Sequence, residues 1–240
     1  MAGTFKEWTV LPHGKVTRID DDLLTVVGNL PMPMGEFPRR MTVARLRDGR
    51  LVVFSAIALH EDEMRALEAF GQPAFLVIPG ELHRMDAKTW KARYPGMVVV
   101  APAGAREKVS EVVAVDRTEM DFGDPRVRLI TVPGTADHEL ALLVRTPSGT
   151  TLIVNDVIWN VDDRPGLGGW IYKAIGATKH QPQIPAVVKM RMIKDKVALR
   201  KQLEEWARTE DVNRIIVSHG DIVSHDARKV LVHLAHSLAA

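Results

Sequence analysis

The chain contains no cysteine, which excludes disulfides, thiolate metal ligands and a cysteine nucleophile, and suits a reducing compartment. Any metal must therefore be held by His, Asp or Glu. Charge of one sign is missing too: 32 Lys and Arg stand against 30 Asp and Glu, a formal net charge of +2. Neither a nucleic-acid surface nor an anionic-membrane surface is expected from that balance. No apolar run approaches the ~20 residues that span a bilayer. The stretch Met1 to Trp8 has no continuous apolar segment behind a basic start. The expectation is a soluble, cytoplasmic protein acting on a small-molecule substrate, with no nucleic-acid or membrane partner. What is present is 46% hydrophobic content over 240 residues, enough to bury a full core in one domain spanning 1–240.

Short β-rich runs open the chain: Val16 to Ile19, Leu23 to Val27, Met41 to Leu46 and Leu51 to Phe54, the last two joined by the hairpin signal Asp48-Gly49. Helical spacing of Met64, Leu67 and Phe70 predicts a helix over 62–70, followed by a strand Phe75 to Ile78 closed by Pro79-Gly80. A second unit follows, with a helix over 86–92, a strand over 97–100 and another at Glu111 to Val115. Strands return at Arg128 to Val132, Leu140 to Arg145 and Thr151 to Val154. The last third reads as helices over 170–175, 194–207 and 224–238, with Ser224 as N-cap, and a strand Arg214 to Val217. This order suits an α/β fold of mixed sheets covered by helices better than a purely parallel wind. The stretch Asp162 to Ile193 is irregular and reads either as a lid or insertion over a substrate or as a surface connection packing Trp170 and Tyr172.

Polar residues gather where strands end. Glu81, His83 and Asp86 follow the strand that closes at Ile78, a place where α/β proteins put ligands. His138 and Glu139 lie in the turn after Pro133-Gly134-Thr135. Asp156 ends the apolar run Leu152-Ile153-Val154 and is followed by Val157-Ile158, so its carboxylate must find a partner or a cation. Ile215-Ile216-Val217 runs into Ser218-His219-Gly220, where glycine permits a sharp turn that aims His219. His225, His233 and His236 fall on the terminal helix, and His13, His60 and His180 have no clustered partners.

Taken in order, these segments resemble the metallo-β-lactamase fold superfamily, an αββα sandwich with metal ligands on loops along one edge of two mixed sheets. The superfamily's H-x-H-x-D-H motif aligns with Glu81-Leu82-His83-Arg84-Met85-Asp86, which keeps only the second His. The P-G-H-T-like turn has Thr135 in place of its His. The bridging Asp matches Asp156, and the last His matches His219. Arg39 to Val43, the Asp48-Gly49 hairpin, Val53-Phe54-Ser55, Trp90, Tyr94-Pro95 and Thr151 to Asp156 resemble, more closely, an uncharacterised branch of that superfamily. That branch is a domain of unknown function with an altered metal motif.

The resemblance implies a metal-dependent hydrolase with one divalent ion, Zn, Mn or Fe, on His83, Asp156 and His219. Glu81, Asp86 and His138 are the further candidate ligands, which would make the site richer in oxygen. Asp156 and Asp86 are the candidate catalytic carboxylates. An alternative keeps the fold without a metal, the same residues forming a hydrogen-bonded network in a binding or scaffold module. A third reading, Ser218 activated by His219 and Asp156, is opposed by the Ser218-His219 adjacency, because neighbours at a strand end point opposite ways.

Overall fold

The computed structural model describes residues 4–32, 35–162 and 181–238. Four antiparallel strands come first: β1 (Thr17–Asp20), β2 (Leu23–Met32), β3 (Gly35–Arg45) and β4 (Arg50–Phe54). Helix α1 (Glu61–Phe70) then carries the chain to β5 (Gln72–Val77), which lies parallel to β4. A 3-10 turn (Glu81–Arg84) and helix α2 (Ala87–Arg93) lead to β6 (Val98–Val100), parallel to β5 and the last of six strands in order β1 to β6. Helix α3 (Arg106–Ser110) follows.

The second sheet holds β7 (Val127–Thr131), β8 (Leu140–Thr146) and β9 (Gly149–Val154) in antiparallel succession. After helices α4 (Ala186–Arg191) and α5 (Lys196–Arg208), β10 (Val212–Val217) joins it parallel to β9, and α6 (Ala227–His236) ends the described elements. The Asp195 carboxylate caps α5 by accepting from the N–H groups of Val197 and Ala198, which fixes where that helix begins.

Alternation with period two sorts the strand side chains into layers. Val52, Phe54, Phe75, Val77, Ile153 and Ile216 face inward and pack sheet against sheet. Their neighbours Leu51, Val53 and Leu76 point out to Met64 and Leu67 of α1 and Trp90 of α2. On the other side Leu152, Val154, Ile215 and Val217 meet Leu199, Leu203 and Trp206 of α5 and Leu231 and Leu234 of α6. Two mixed sheets between two helical layers give the αββα sandwich expected from the element order.

Several boundaries differ from the sequence reading. The run Glu111 to Val115 is no strand: α3 ends at Ser110, and Val113 and Val115 enter the outer core unpaired. The terminal helix begins at Ala227 after Asp226, so Ser224 caps nothing. Strand β3 starts at Gly35, six residues before Met41, with Pro38 inside it. Of the irregular stretch 162–193, residues 163–180, including the helix expected over 170–175, lie outside the described residues. Its C-terminal part forms α4 and a bridge from Gln183 back to Trp159. Among the described residues, no helix is long and apolar enough to cross a membrane.

Candidate metal centre

Three chain segments deliver the site, each leaving the carboxyl end of a parallel-paired strand. Beyond β5, Gly80 lets the chain pass close over β8 and β9. A Cβ there would stand 2.9 Å from Glu139 Oε1 and 3.1 Å from Asn155 Nδ2. The 3-10 turn then presents His83. Beyond β9 stands Asp156, and beyond β10 stands His219. Among the described residues these three form the group able to hold a metal ion, one ligand atom from each lying within 4.8 Å of the others.

The convergence is atomic. His219 Nε2 lies 3.0 Å and His83 Nε2 3.4 Å from the same oxygen, Asp156 Oδ1. Each ring is held from behind through Nδ1: His83 by Ser55 Oγ at 2.8 Å and His219 by the carbonyl of Pro38 at 2.8 Å. Aromatic faces close around His219, with Phe37 and Trp159 at centroid distances of 4.7 and 5.0 Å. Arg40 anchors the turn beyond it by donating from Nη2 to the Gly220 carbonyl at 2.8 Å and from Nη1 to Thr25 Oγ1 at 3.2 Å. Gly220 has φ of +103°, and a Cβ there would lie 1.9 Å from the Asn160 carbonyl oxygen. Only glycine fits that turn.

Beneath Asp156 lies a second carboxyl. Glu139 is completely buried and accepts from Asn155 Nδ2 at 3.1 Å and from the Asp156 backbone N–H at 3.2 Å. Burial and the charge of Asp156 push Glu139 well above the usual carboxyl range, against those two hydrogen bonds. For Asp156, burial acts upward but the two imidazoles beside it, His83 foremost, outweigh it, holding the group well below the usual range. The two carboxyls are thus pushed apart, Asp156 giving up its proton far more readily than Glu139. Burial lowers His83, partly offset by Asp156, so its neutral ring carries one free nitrogen lone pair at neutral pH.

The other sequence candidates go elsewhere. Asp86 is 1% exposed and bound to Arg39, Nη1 to Oδ2 at 2.5 Å, while its Oδ1 accepts from the Ala58 N–H at 3.1 Å. Glu81 is exposed at the start of the 3-10 turn. His138 sits over Gly104, outside the group of three. The site the geometry assembles is two nitrogens and one carboxylate, not the oxygen-rich set. Thr135, at the place of the turn His, is buried and donates to the Val132 carbonyl at 2.7 Å. Sequence reasoning missed Phe37, Pro38, Ser55 and Trp159. The Phe37-Pro38 pair carried no strand signal, and Ser55 is a lone hydroxyl.

The donor set fits a divalent ion. Two imidazoles plus one carboxylate is a known catalytic arrangement for zinc and for non-haem iron. Ligand bonds of about 2.0–2.1 Å in a tetrahedron give donor separations of about 3.3 Å, close to the 3.4 Å between His83 and Asp156. Hydrogen bonds to the far nitrogens are what orient metal-ligating histidines.

Solved structures share the architecture. VMB-1 at pH 5.5 matches with a TM-score of 0.65 and 10% identity over 97% of this chain and 100% of its own. The metallo-β-lactamase FIM-1 from Pseudomonas aeruginosa, in a mono-zinc form, matches with a TM-score of 0.62 and 12% identity over 95% and 96%. DIM-1 metallo-β-lactamase exposed to ceftazidime matches with a TM-score of 0.62 and 10% identity over 97% and 100%. The chain has the metallo-β-lactamase fold. No family model matches it, and no curated protein matches it in sequence. Within this metallo-β-lactamase fold, His83, Asp156 and His219 are the positions that the sequence resemblance singles out, and the structure brings them to one point.

Proposed function

We propose that the protein is a metal-dependent hydrolase of small-molecule substrates, with one divalent ion held by His83 Nε2, Asp156 Oδ1 and His219 Nε2. The observation that carries this reading is the convergence of two imidazole nitrogens on one carboxylate oxygen, each ring fixed from behind. Zinc leads among Zn, Mn and Fe, since a structural relative is a mono-zinc form. Such an ion would lower the pKa of a bound water enough for attack on an ester, amide or phosphodiester at neutral pH.

The chain's own residues set the conditions around the ion. Asp156 brings the negative charge, and burial and that charge both oppose a second one on Glu139. Phe37 and Trp159 shield one side. Asp86, committed to Arg39, is not assigned a base's part, and neither is the exposed Glu81. The absence of cysteine suits action in the cytoplasm.

Metal analysis of protein purified without chelator tests the reading, together with hydrolysis assays on ester, β-lactam and phosphodiester panels. About one ion per chain is expected, far less in Asp156→Ala, with turnover lost in the variant. Metal-free wild type whose melting temperature ignores both EDTA and added metal would leave the hydrogen-bonded network as the better reading.

A further inference from the structure

Ser55 follows β4 with φ of +56°, in the left-handed region that favours glycine. Among the described residues it is the only buried non-glycine in that conformation, the others being exposed turn residues at Ala136, Asp137, Asp211 and Asp226. Its N–H continues the parallel ladder to the Val77 carbonyl at 3.0 Å. Its side chain reaches His83 Nδ1 at 2.8 Å. A glycine would relieve the backbone and lose that contact. The sequence thus places a serine where the fold favours glycine, and its hydroxyl touches a candidate ligand.

The two histidines are held by groups of different chemistry. Pro38 offers His219 a carbonyl, which only accepts, so His219 must keep its proton on Nδ1. Ser55 offers His83 a hydroxyl, which can donate or accept. With the hydroxyl donating to Nδ1, His83 carries its proton on Nε2 and gives it to Asp156 Oδ1. With the hydroxyl accepting from an Nδ1 proton, His83 turns a bare Nε2 toward the ligand point. The ring stays in place and only its proton changes side.

We propose that Ser55 is a positioning residue that holds His83 in one orientation while letting it exchange tautomers, Nε2-protonated against Asp156 without metal and Nδ1-protonated with it. His219 keeps its Nδ1 proton throughout. This rests on the metal-site reading above but has a readout of its own.

Imidazole nitrogen NMR on EDTA-treated protein, before and after Zn²⁺, tests the exchange. The expected result is a His83 proton that moves from Nε2 to Nδ1 while that of His219 stays on Nδ1; a His83 already protonated on Nδ1 without metal overturns it. Zn²⁺ titration and thermal melts of Ser55→Gly and Ser55→Ala test the positioning. Both variants should bind Zn²⁺ about 10–100-fold more weakly, and metal-free Ser55→Gly should melt above Ser55→Ala, since both lose the hydroxyl and only glycine relieves the backbone. Unchanged affinity in both overturns the proposal. If wild type takes up no Zn²⁺, the hydrolase reading fails separately. Ser55 is then judged on the metal-free spectrum: a sharp His83 signal that broadens in both variants supports positioning, and one unchanged in both overturns it.

Discussion

His219 Nε2 stands 3.0 Å from Asp156 Oδ1, while the opposite nitrogen gives its proton to the Pro38 carbonyl at 2.8 Å. An imidazole bound in this way turns either a lone pair or a second proton toward a carboxylate that is itself charged. A cation between lone pair and carboxylate satisfies both, which is why metal should stabilise the folded chain.

Metal-free protein given free Zn²⁺ at about 100 times its dissociation constant should gain about 2.7 kcal/mol, or roughly 5–10 °C in melting temperature. Asp156→Asn keeps the shape but removes the charge, and most of this gain should vanish. Equal Zn²⁺ shifts in the wild type and the variant, measured by differential scanning calorimetry, would remove Asp156 from the ligand set.

Arg39 and Asp86 form an ion pair almost wholly out of water, with side-chain exposures of 9% and 1%. Among the described residues, Arg39 Nε and Nη2 have no hydrogen-bond partner, and Asp86 is the carboxylate that compensates the guanidinium. Removing one member of such a pair strands a buried charge and costs about 3–5 kcal/mol. Urea unfolding of Asp86→Leu should show that loss, and the Arg39→Met/Asp86→Leu double variant should recover most of it. Additive losses in the double variant would mean that the two residues act separately.

That pair also marks where the sequence stops being informative. Asp156 was legible because an acid inside an apolar strand must be compensated, and His219 because a strand ran into His-Gly. Asp86 was a further candidate ligand on the same kind of signal, a carboxylate close after a strand. What decides its fate is Arg39, 47 positions away, brought alongside only when β3 folds beside the start of α2. The layers were legible for a related reason, since alternation along Leu51 to Phe54 encodes its two faces locally. The first half of β3 was not, because Pro38 reads as a strand breaker, yet its carbonyl fixes His219. Contacts set by long-range register leave no local trace, and the histidine supports are contacts of that kind.

Burial and Asp156 both oppose a charge on Glu139 and raise its carboxyl. A carboxyl raised in the folded state stabilises fully below its ordinary value near 4.5, and that contribution is lost as pH rises toward the folded value. Glu139→Gln mimics the protonated form and should be more stable than wild type, by a margin that widens as pH rises above about 5. After the Asn155 amide turns over, the new amide can donate to Asn155 Oδ1, a buried acceptor without a partner among the described residues. Glu139→Ala should instead be destabilised by about 1–3 kcal/mol, leaving the Asp156 N–H unsatisfied. Urea unfolding at several pH values measures both, and a margin for Glu139→Gln that shrinks with pH would show Glu139 to be ionised in the fold.

Far from the site, Asp124 ties the two sheets' lower edge together. Its carboxylate takes hydrogen bonds from the Arg126 guanidinium at 2.8 Å and from the backbone N–H groups of Arg126 and Arg47 at 3.0 and 2.9 Å. The Arg126 side chain, outweighing burial and helped by those N–H groups, holds Asp124 down at about 2, against an ordinary 3.8. With a side chain only 3% exposed, that depression corresponds to about 2 kcal/mol. Because the folded value lies below the unfolded one, the contribution is complete above about pH 4 and disappears as pH falls through about 2. Asp124→Asn should therefore melt about 4–8 °C lower than wild type at pH 7. The gap should hold at pH 5 and close as pH drops from 4 toward 2. A gap that persists undiminished in acid would mean that the carboxylate's charge contributes nothing, and that the lost stability comes from its shape alone.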